Sequence, residues 1–251
     1  MPLDLDAIRA RLPKRELVWL DSIGSTMAEA ARLAAEDCPA GTAVLAEEQT
    51  AGQGRLGRTW YSEKGSGLYV SLVLRIPLAP DSLPVLTLAL GLAAQDAIAR
   101  STDVICDLRW PNDLLAAGKK CGGILMQLLE HAIITGIGIN VNQPAFPPDL
   151  ARTATSLRIV SGREQSREDL LVHLLEAVDS FSKILIQDGK EQILRLYAHA
   201  SSFVQERRVV VEQGDSVLLG TTEGLDPSGF LILRKDDGTR DLIVAGGVRP
   251  A

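Results

Sequence analysis

The apolar positions of the chain follow two periods, and their order predicts a domain that mixes helices and strands. Apolar residues spaced three and four apart predict helices over residues 25–37, 82–101, 166–187 and 190–201. Runs rich in β-branched and apolar residues predict strands over residues 43–48, 67–75, 105–110, 121–130 and 132–141, and residues 17–25 predict a strand followed by a turn. Elements of both kinds therefore follow one another up to about residue 205.

The pattern changes beyond Arg207, where helical spacing ends. Short alternating apolar stretches are separated by the turn sequences "GD", "DPSG" and "DDG". Many short strands with such turns are typical of a small β-barrel. The sequence therefore predicts two domains, one over residues 1–204 and one over residues 205–251.

Composition and charge restrict where the protein works and what it binds. The 251 residues carry a net charge of −6, which argues against a general nucleic-acid binder because phosphate contacts require a basic face. Three scattered cysteines fit a reducing compartment, and the N-terminus lacks a signal-peptide core. The apolar run in 82–101 is interrupted by Gln95 and Asp96, short of the ~20 residues that span a bilayer. We expect a soluble cytoplasmic protein with no membrane or nucleic-acid partner.

A glycine-rich segment joins two of the predicted strands. The sequence "EEQTAGQGRLGRTWYSEKG" at 47–65 contains the spacing G-x-G-x-x-G. A dinucleotide-binding loop would open a helix directly after a strand, but here the third glycine is followed by "RTWYSEKGSG". A kinase glycine loop also lies between strands, yet no H-R-D or D-F-G sequence follows. The segment therefore predicts neither a nicotinamide oxidoreductase nor a kinase.

The side chains around these glycines indicate a mononucleotide anion instead. Arg55 and Arg58 place two fork-shaped cations beside backbone N–H groups that the glycines leave uncovered. Trp60 offers a flat face on which a base can stack. Because glycines and exposed cations have little to pack against, we expect this loop to be mobile until a ligand binds.

Four further segments carry polar groups or glycines that suit a small ligand. In "GSTMAE", Ser25 and Thr26 lie at a predicted helix N-terminus, where free N–H groups favour a polar ligand, and Thr26 with Glu29 forms a T-x-x-E capping box. In "GKKCGGIL", Lys120 precedes a glycine pair at the start of a strand, where a ligand or another backbone segment can approach closely. The other two segments are the turn "LRWPNDLL" at 108–115 and "GIGIN", which ends in Asn140.

These segments, in this order and followed by a small β-domain, resemble the bacterial biotin protein ligases, which attach biotin to the acceptor lysine of a biotin carboxyl carrier domain. The resemblance covers essentially the whole chain. It implies an α+β fold of the class II synthetase kind, with a central mixed or antiparallel sheet, flanking helices and a C-terminal SH3-like β-barrel. Because the catalytic pattern begins near residue 17, we expect a monofunctional ligase that lacks a DNA-binding domain.

The resemblance also implies a reaction and its participants. Biotin is activated with ATP to biotinyl-5′-AMP, pyrophosphate is released, and biotin passes to the carrier lysine. ATP and biotin are substrates and Mg²⁺ accompanies the nucleotide. No side-chain nucleophile is needed, because charge develops on phosphate oxygens and cations stabilise it. The protein would be a monomer or a homodimer.

The resemblance assigns roles to individual positions. Lys120, Arg55 and Asp113 would be catalytic, with Asp113 as the base or the positioning group for the incoming amine. Biotin would be held by Ser25, Thr26, Gln49, Gly52, Gln53, Gly54, Arg55, Lys120, Gly123, Leu125 and Gly136. ATP and the adenylate would be held by Arg55, Arg58, Trp60, Asn112, Lys120 and Asn140. The chain departs from the family pattern at Met27 and Gln53, where polar and arginine side chains are common.

Two other functions stay open at the level of sequence. A lipoate or related acyl protein ligase would share the architecture and the adenylate chemistry, although the glycine loop and the "WPND" turn favour biotin. A non-catalytic biotin-binding module would bind biotin without forming AMP, and Arg55 and Lys120 argue against it. Cys121 lies beside Lys120, and we interpret it as a packed small residue rather than a reactive thiol.

Overall fold

The fold was analysed in a computed structural model that describes residues 3–214 and 216–251. The helices are α1 (Leu5–Arg11), α2 (Thr26–Ala35), α3 (Leu83–Ser101), α4 (Leu157–Ser161), α5 (Arg167–Gln187) and α6 (Lys190–Ala200). The first seven strands are β1 (Leu17–Leu20), β2 (Ala43–Ala46), β3 (Gly67–Leu74), β4 (Cys106–Arg109), β5 (Asp113–Ala116), β6 (Lys119–Leu128) and β7 (Ile133–Asn140). The remaining strands are β8 (Gln205–Gln213), β9 (Ser216–Leu225), β10 (Leu231–Lys235), β11 (Arg240–Ile243) and β12 (Gly247–Pro250).

The strands of the described residues form two sheets, one from β1–β7 and one from β8–β12. The larger sheet has seven strands in the order β1-β2-β3-β7-β6-β5-β4. β1 and β2 are parallel and the other neighbours are antiparallel, so the sheet is mixed. The second sheet is antiparallel, with five strands in the order β11-β10-β9-β8-β12. The predicted α+β class and the C-terminal β-domain are confirmed, whereas the exact domain boundary at residue 205 stays a prediction.

Helices cover both faces of the large sheet. α3, α5 and α6 pack on one face and enclose the main core, to which β3 contributes Leu68, Val70 and Leu72. α2 packs on the other face against Val44 and Val73. The segment Pro80–Ser101, which includes α3, has the length and apolar composition of a membrane-spanning helix, but 67% of its most apolar stretch is buried within the protein. A helix that is apolar on every side is typically buried in the core of a protein, and α3 has this position.

Most predicted elements are present, and the differences have local causes. Each predicted helix lies within about two residues of an observed one. Three elements were not predicted, namely α1, α4 and β5. The four residues of β5 follow the "PND" turn directly, and so short a strand has little periodicity of its own.

The predicted capping box at the start of α2 is wrong. The helix begins at Thr26, so the N-cap is Ser25, and its side chain makes no capping hydrogen bond. Glu29 pairs with Arg32 through an Arg Nη2 to Oε1 distance of 2.7 Å instead of reaching back to the helix start. The Ser25 hydroxyl therefore caps no backbone N–H, and the Thr26 hydroxyl bonds to Gln49 and Ser71.

The interpretation of Cys121 as a packed residue is confirmed. Its side chain is fully buried, and its sulfur lies 3.7 Å from the sulfur of buried Cys106. The hydrogen bond with Cys106, together with burial, raises the pKa of the Cys121 thiol well above its ordinary value. A thiol in this environment is a poor nucleophile.

Candidate functional site

Glycines on the α2 side of β6 and β7 form the floor of the candidate site. Gly123 of β6 is paired with Gly138 of β7, and Leu125 is paired with Gly136. A Cβ atom built on Gly138 would lie 2.6 Å from Cε2 of Trp60, and one on Gly123 would lie 3.4 Å from Cζ3 of the same ring. The absence of side chains on this glycine floor therefore lets a flat group lie directly on the backbone.

The head end of the site, at the start of α2, carries connected polar groups. The amide oxygen of Gln49 accepts hydrogen bonds from the backbone N–H of Thr26 at 2.8 Å and from its hydroxyl at 3.0 Å. The Thr26 hydroxyl also lies 2.8 Å from Oγ of Ser71 on β3. The amide nitrogen of Gln49 donates to Oγ of Ser62 at 3.1 Å. This network fixes the Gln49 side chain across the mouth of the glycine loop.

Ser25 differs from these residues because its buried hydroxyl has no partner among residues 3–214 and 216–251. It is 5% exposed, and no atom of these described residues lies within hydrogen-bonding reach of its Oγ. Leaving a buried hydroxyl unpaired costs free energy unless a ligand or water satisfies it. Ser25 is therefore available to bind a polar group brought in from outside.

The glycine loop connects β2 to β3 as a closed ribbon. Trp60 N–H donates to the carbonyl of Gly52, and Gly54 N–H donates to the carbonyl of Arg58 at 2.7 Å. A Cβ on Gly52 would lie 2.6 Å from the carbonyl oxygen of Trp60, so only glycine fits at this position. The ribbon passes through Leu56, which has a left-handed φ of 56°. The loop thus brings the Trp60 ring onto the glycine floor.

A cationic end lies opposite the head end. Nη1 of Arg55 donates to Oδ1 of Asn112 at 2.7 Å, which links the glycine loop to the "WPND" turn. Burial lowers the pKa of the Arg55 guanidinium, the carboxylate of Asp113 opposes this shift, and neighbouring Arg58 adds to it. A partly desolvated guanidinium held in this way is prepared to bind an anion.

Asp113 holds a second pair of cations. Its Oδ2 accepts from Nη2 of Arg109 at 2.6 Å, and its Oδ1 lies 2.5 Å from Nζ of Lys120. Burial alone would raise the pKa of the Asp113 carboxyl, but Lys120 and then Arg109 outweigh it and hold the pKa below its ordinary value. Nζ of Lys120 also lies 5.4 Å from the centroid of the Trp60 ring, close enough for a cation–π contact. Lys120 is thus fixed between a carboxylate and an aromatic face, above Gly123.

The structure brings most of the predicted residues together. Contacts join Thr26 to Gln49, Gly52 to Gln49 and Trp60, Gly54 to Arg58, Arg55 to Asn112, and Lys120 to Asp113, Trp60 and Gly123. The side chains of Gln53 and Arg58 are exposed and form no hydrogen bond or ion pair with any part of the chain that the structure describes.

Two predicted residues have partners of another kind. Asn140 is buried and donates to the carbonyl of Thr155 at 3.0 Å, so its amide group supports the loop after β7. Gly136 is covered by the side chain of Met27. The assigned roles of both residues in ligand binding stay predictions.

Some residues of the site were missed at the sequence level. Ser71 and Ser62 complete the network around Gln49, and Gly138 lies beneath Trp60. The second glycine of "GIGIN" was a usable signal, because it lies in phase with Gly136 on one face of a strand. Ser71 gave no local signal, since its place in the site depends on the pairing of β3 with β7.

No resident metal centre is formed by the part of the chain that the structure describes. Within residues 3–214 and 216–251, no group of three or more His, Cys, Asp or Glu side chains is arranged to hold a metal ion. The charged groups of the cationic end are instead Arg55, Arg109, Lys120 and Asp113.

Comparison with known families and relatives gives consistent results. Residues 19–143 match the biotin/lipoate A/B protein ligase family, and residues 206–248 match the biotin protein ligase C-terminal domain. The biotin--[acetyl-CoA-carboxylase] ligase of Mycobacterium tuberculosis is 31% identical over 256 residues, which cover 98% of this chain and 94% of the relative. The bifunctional ligase/repressor BirA of Bacillus subtilis is 32% identical over 246 residues, which cover 95% of this chain and 75% of the relative.

Solved structures agree with this result. The biotin protein ligase of Aquifex aeolicus in complex with biotin and ATP has a TM-score of 0.84 and 31% identity, with 94% of this chain and 99% of that chain covered. The Leishmania major biotin protein ligase in complex with biotinyl-5-AMP has a TM-score of 0.67 and 25% identity, with 92% and 99% covered. The similarity therefore extends over both sheets.

Proposed function

The chain belongs to the biotin/lipoate A/B protein ligase family, and we propose that it is an ATP-dependent biotin protein ligase. In the first step an oxygen of the biotin carboxylate bonds to the α-phosphorus of ATP. The bond between that phosphorus and the bridging oxygen breaks, and its electron pair leaves with pyrophosphate. In the second step the neutral amine of an acceptor lysine attacks the mixed anhydride, which forms the amide and releases AMP.

The unpartnered hydroxyl of Ser25 is the single observation that supports this proposal most directly. Biotin ends in a cyclic urea, whose N–H groups and carbonyl must be hydrogen-bonded when they are buried. Ser25 supplies a free buried hydroxyl, and the adjacent Thr26–Gln49 pair holds further donors and acceptors in fixed positions. We therefore assign the head end to the urea ring.

The cationic end then receives the carboxylate and the nucleotide. Lys120 and Arg55 neutralise the charge that develops on the phosphate oxygens during adenylation. Asp113 positions Lys120 by accepting its ammonium at 2.5 Å. Because its pKa lies below the ordinary value, Asp113 is a weak general base at neutral pH, so we assign it to positioning rather than proton removal.

The remaining predicted ligands line the two ends of the slot. We assign Gly52, Gln53 and Gly54 to the closing loop over the carboxylate, and Gly123, Leu125 and Gly136 to the floor. We assign Trp60 and Arg58 to the adenine side, and Asn112 and Asn140 to the nucleotide phosphates. Mg²⁺ enters as part of the MgATP substrate, since this ion prefers phosphate oxygens and few protein ligands.

The proposed reaction also requires an acceptor protein that carries the lysine. The acceptor is the lysine of a biotin carboxyl carrier domain, of the kind found in acetyl-CoA carboxylase, which the relatives' names include. We further propose a cytoplasmic protein with the ligase domain at 1–204 and the C-terminal domain at 205–251. Either a monomer or a homodimer is compatible with this activity.

A direct assay tests the proposal. The purified protein is mixed with biotin, MgATP and a biotin carboxyl carrier domain, and the mass of the acceptor is measured. We expect the mass increase of one biotinyl group on one lysine, and biotin-dependent exchange of pyrophosphate into ATP. Lys120→Met should lower the exchange rate about 100-fold, since it removes a cation from the developing charge. Absence of both signals in the wild-type protein would contradict the proposal.

Ligation of lipoate is not favoured as the activity. Three of the four relatives described above have biotin in their names, and none of the four names includes lipoate. The same exchange assay with lipoate in place of biotin separates the two functions. We expect no exchange above background with lipoate.

A further inference from the structure

Arg109 and Asp113 face each other at the two ends of the "WPND" turn. Arg109 is the last residue of β4, Asp113 is the first residue of β5, and the two are paired in the register of these strands. Nη2 and Nε of Arg109 both donate to Oδ2 of Asp113, at 2.6 Å and 3.2 Å. Two donors of one rigid guanidinium therefore hold this carboxylate oxygen in place.

The other oxygen of the same carboxylate contacts Lys120. Oδ1 of Asp113 lies 2.5 Å from Nζ of Lys120, and the Asp113 side chain is only 16% exposed. Arg109 and Lys120 thus divide one buried carboxylate between them, with one oxygen for each cation. Because the guanidinium neutralises part of the negative charge, the ammonium of Lys120 is held in position while much of its own charge stays uncompensated.

We propose that Arg109 is a positioning residue for adenylation, which holds Asp113 so that Lys120 is oriented by a single carboxylate oxygen and keeps its charge for the ligand. The proposal rests on the proposed function, in which Lys120 neutralises charge on the phosphate oxygens. Without Arg109, Asp113 is free to turn both oxygens toward Lys120. A lysine paired tightly with a carboxylate stabilises the developing charge on another group less well.

A cavity beside Arg109 makes this role open to chemical rescue. The cavity has a volume of about 480 Å³, and Arg109 and Arg207 are among its lining residues. The side chain of Arg109 is 23% exposed. When Arg109 is shortened to alanine, a guanidinium ion from solution can therefore enter the vacated space beside Asp113.

Substitution of Arg109 should affect turnover more than binding. Arg109→Ala should lower the maximal rate of biotin-dependent pyrophosphate exchange about tenfold, with a smaller change in the KM for biotin. Guanidinium chloride at about 20 mM, far below the concentrations that unfold proteins, should recover part of the lost rate. The same concentration of sodium chloride should not, and equal recovery by both salts would contradict the proposal. Arg109→Lys keeps a cation but loses the fork, so its rate should lie about threefold below the wild-type rate.

A double-mutant cycle tests whether Arg109 acts through Asp113. Asp113→Asn removes the charge that both cations share. In that background, Arg109→Ala should change the exchange rate less than about twofold, because its connection to Lys120 runs through the lost carboxylate. A tenfold loss in both backgrounds would mean that Arg109 contacts the ligand itself, and this result would overturn the proposal.

Arg207→Ala is the matched control, because Arg207 lines the same cavity. Nη1 of Arg207 donates to Oγ of Ser202 at 2.7 Å, and the guanidinium lies 4.3 Å from the centroid of the Phe203 ring. The variant removes a cation from the cavity and leaves the contacts of Asp113 intact, so the exchange rate should stay near the wild-type rate with and without guanidinium. Equal losses in the Arg109 and Arg207 variants would assign the effect to the general charge of the cavity and overturn the proposal.

The exchange assay also separates failure of this proposal from failure of the proposed function. If the wild-type protein catalyses no exchange, the proposed function fails and this proposal fails with it. If the wild-type protein is active and Arg109→Ala keeps the wild-type rate, the proposed function stands and this proposal is overturned. Urea unfolding shows whether each variant folds. If Arg109→Ala does not fold, Arg109→Lys and Arg109→Gln carry the test, and a wild-type rate in Arg109→Gln overturns the proposal.

Discussion

Asp113 shows how a single carboxylate ties the stability of the site to pH. Its pKa is lowered in the folded protein, because Lys120 and Arg109 outweigh the opposing effect of burial. The folded state therefore binds the proton less readily than the unfolded chain. The stabilisation is complete above the unfolded pKa near 3.8 and is lost as the pH falls through the lower folded pKa.

Asp113→Asn should therefore lower the free energy of unfolding by an amount that depends on pH. Near neutral pH we expect a loss of about 2 kcal/mol, since hydrogen bonds to charged groups are removed. The difference from the wild-type protein should shrink as the pH falls from about 5 to about 2. Urea unfolding at several pH values measures this difference in the free energy of unfolding. A difference of constant size at every pH would contradict the assignment of charge to Asp113.

The three cysteines should differ sharply in reactivity. Cys106 and Cys121 are buried against each other, and the pKa of Cys121 is raised well above its ordinary value, whereas Cys38 is only half-buried. Because alkylation requires an accessible thiolate, iodoacetamide should modify Cys38 alone in the native protein. Intact-mass measurement before and after addition of urea checks this. Modification of Cys121 at native conditions would show that β6 opens locally.

Single residues of the site were predictable where their chemistry is visible in the sequence. Lys120 and Arg55 are cations beside glycines, and in the structure Lys120 lies above Gly123 while Arg55 contacts Asn112 of the "WPND" turn. Ser71 was not predictable, because a serine in an apolar strand gains meaning only from the register that sets it against Thr26. The partners of such residues are fixed by tertiary structure rather than by neighbours along the chain.

At the scale of elements, a buried ion pair holds both ends of the glycine loop. Glu47 follows β2, and its carboxylate lies 2.8 Å from Nη1 of Arg167, the first residue of α5. Arg167 also donates to the carbonyl of Gly67 at the start of β3. Both ionised side chains are almost fully buried. The helix, the two strands and the loop are therefore tied together at one point.

Breaking this pair should destabilise the protein strongly. Arg167→Met leaves the carboxylate of Glu47 buried without its cation, which typically costs about 3–5 kcal/mol. Glu47→Gln combined with Arg167→Met should recover part of that loss, since no unpaired charge remains. Arg163→Met, which removes an exposed pair with Asp103, is the control and should cost less than about 1 kcal/mol. Urea unfolding compares the variants, and similar losses for Arg163→Met and Arg167→Met would contradict the prediction.

The elements themselves were predictable to the extent that they are long and periodic. α5 and β7 bury regular faces, so their spacing was sufficient. β5 has four residues and is defined by pairing with β4 and β6, which the local sequence does not encode. The mixed or antiparallel character of the large sheet was predicted from the family resemblance, and the order of its seven strands was not predicted, because local patterns do not specify which strands become neighbours.

At the scale of the whole molecule, the second sheet contacts the turn that carries Asn112 and Asp113. Nε1 of buried Trp110, in the same turn, donates to the carbonyl of Gly229 at 2.9 Å. Gly229 lies between β9 and β10 with a φ of 84°, and a Cβ there would lie 3.2 Å from Cγ2 of Val85 on α3. The C-terminal domain therefore packs against both the main core and the base of the cationic end.

Trp110→Phe should loosen this connection without removing any group that contacts ligand. The carbonyl of Gly229 would be left buried without its donor, which costs about 1–3 kcal/mol. Because the substitution acts through the turn, the KM for ATP should rise several-fold, whereas the Kd for biotin alone, set at the head end, should stay near the wild-type value. Pyrophosphate exchange and calorimetry measure the two quantities. A rise of equal size in both would mean that the variant disturbs the whole large sheet, and the C-terminal domain would then have no selective role in positioning the cationic end.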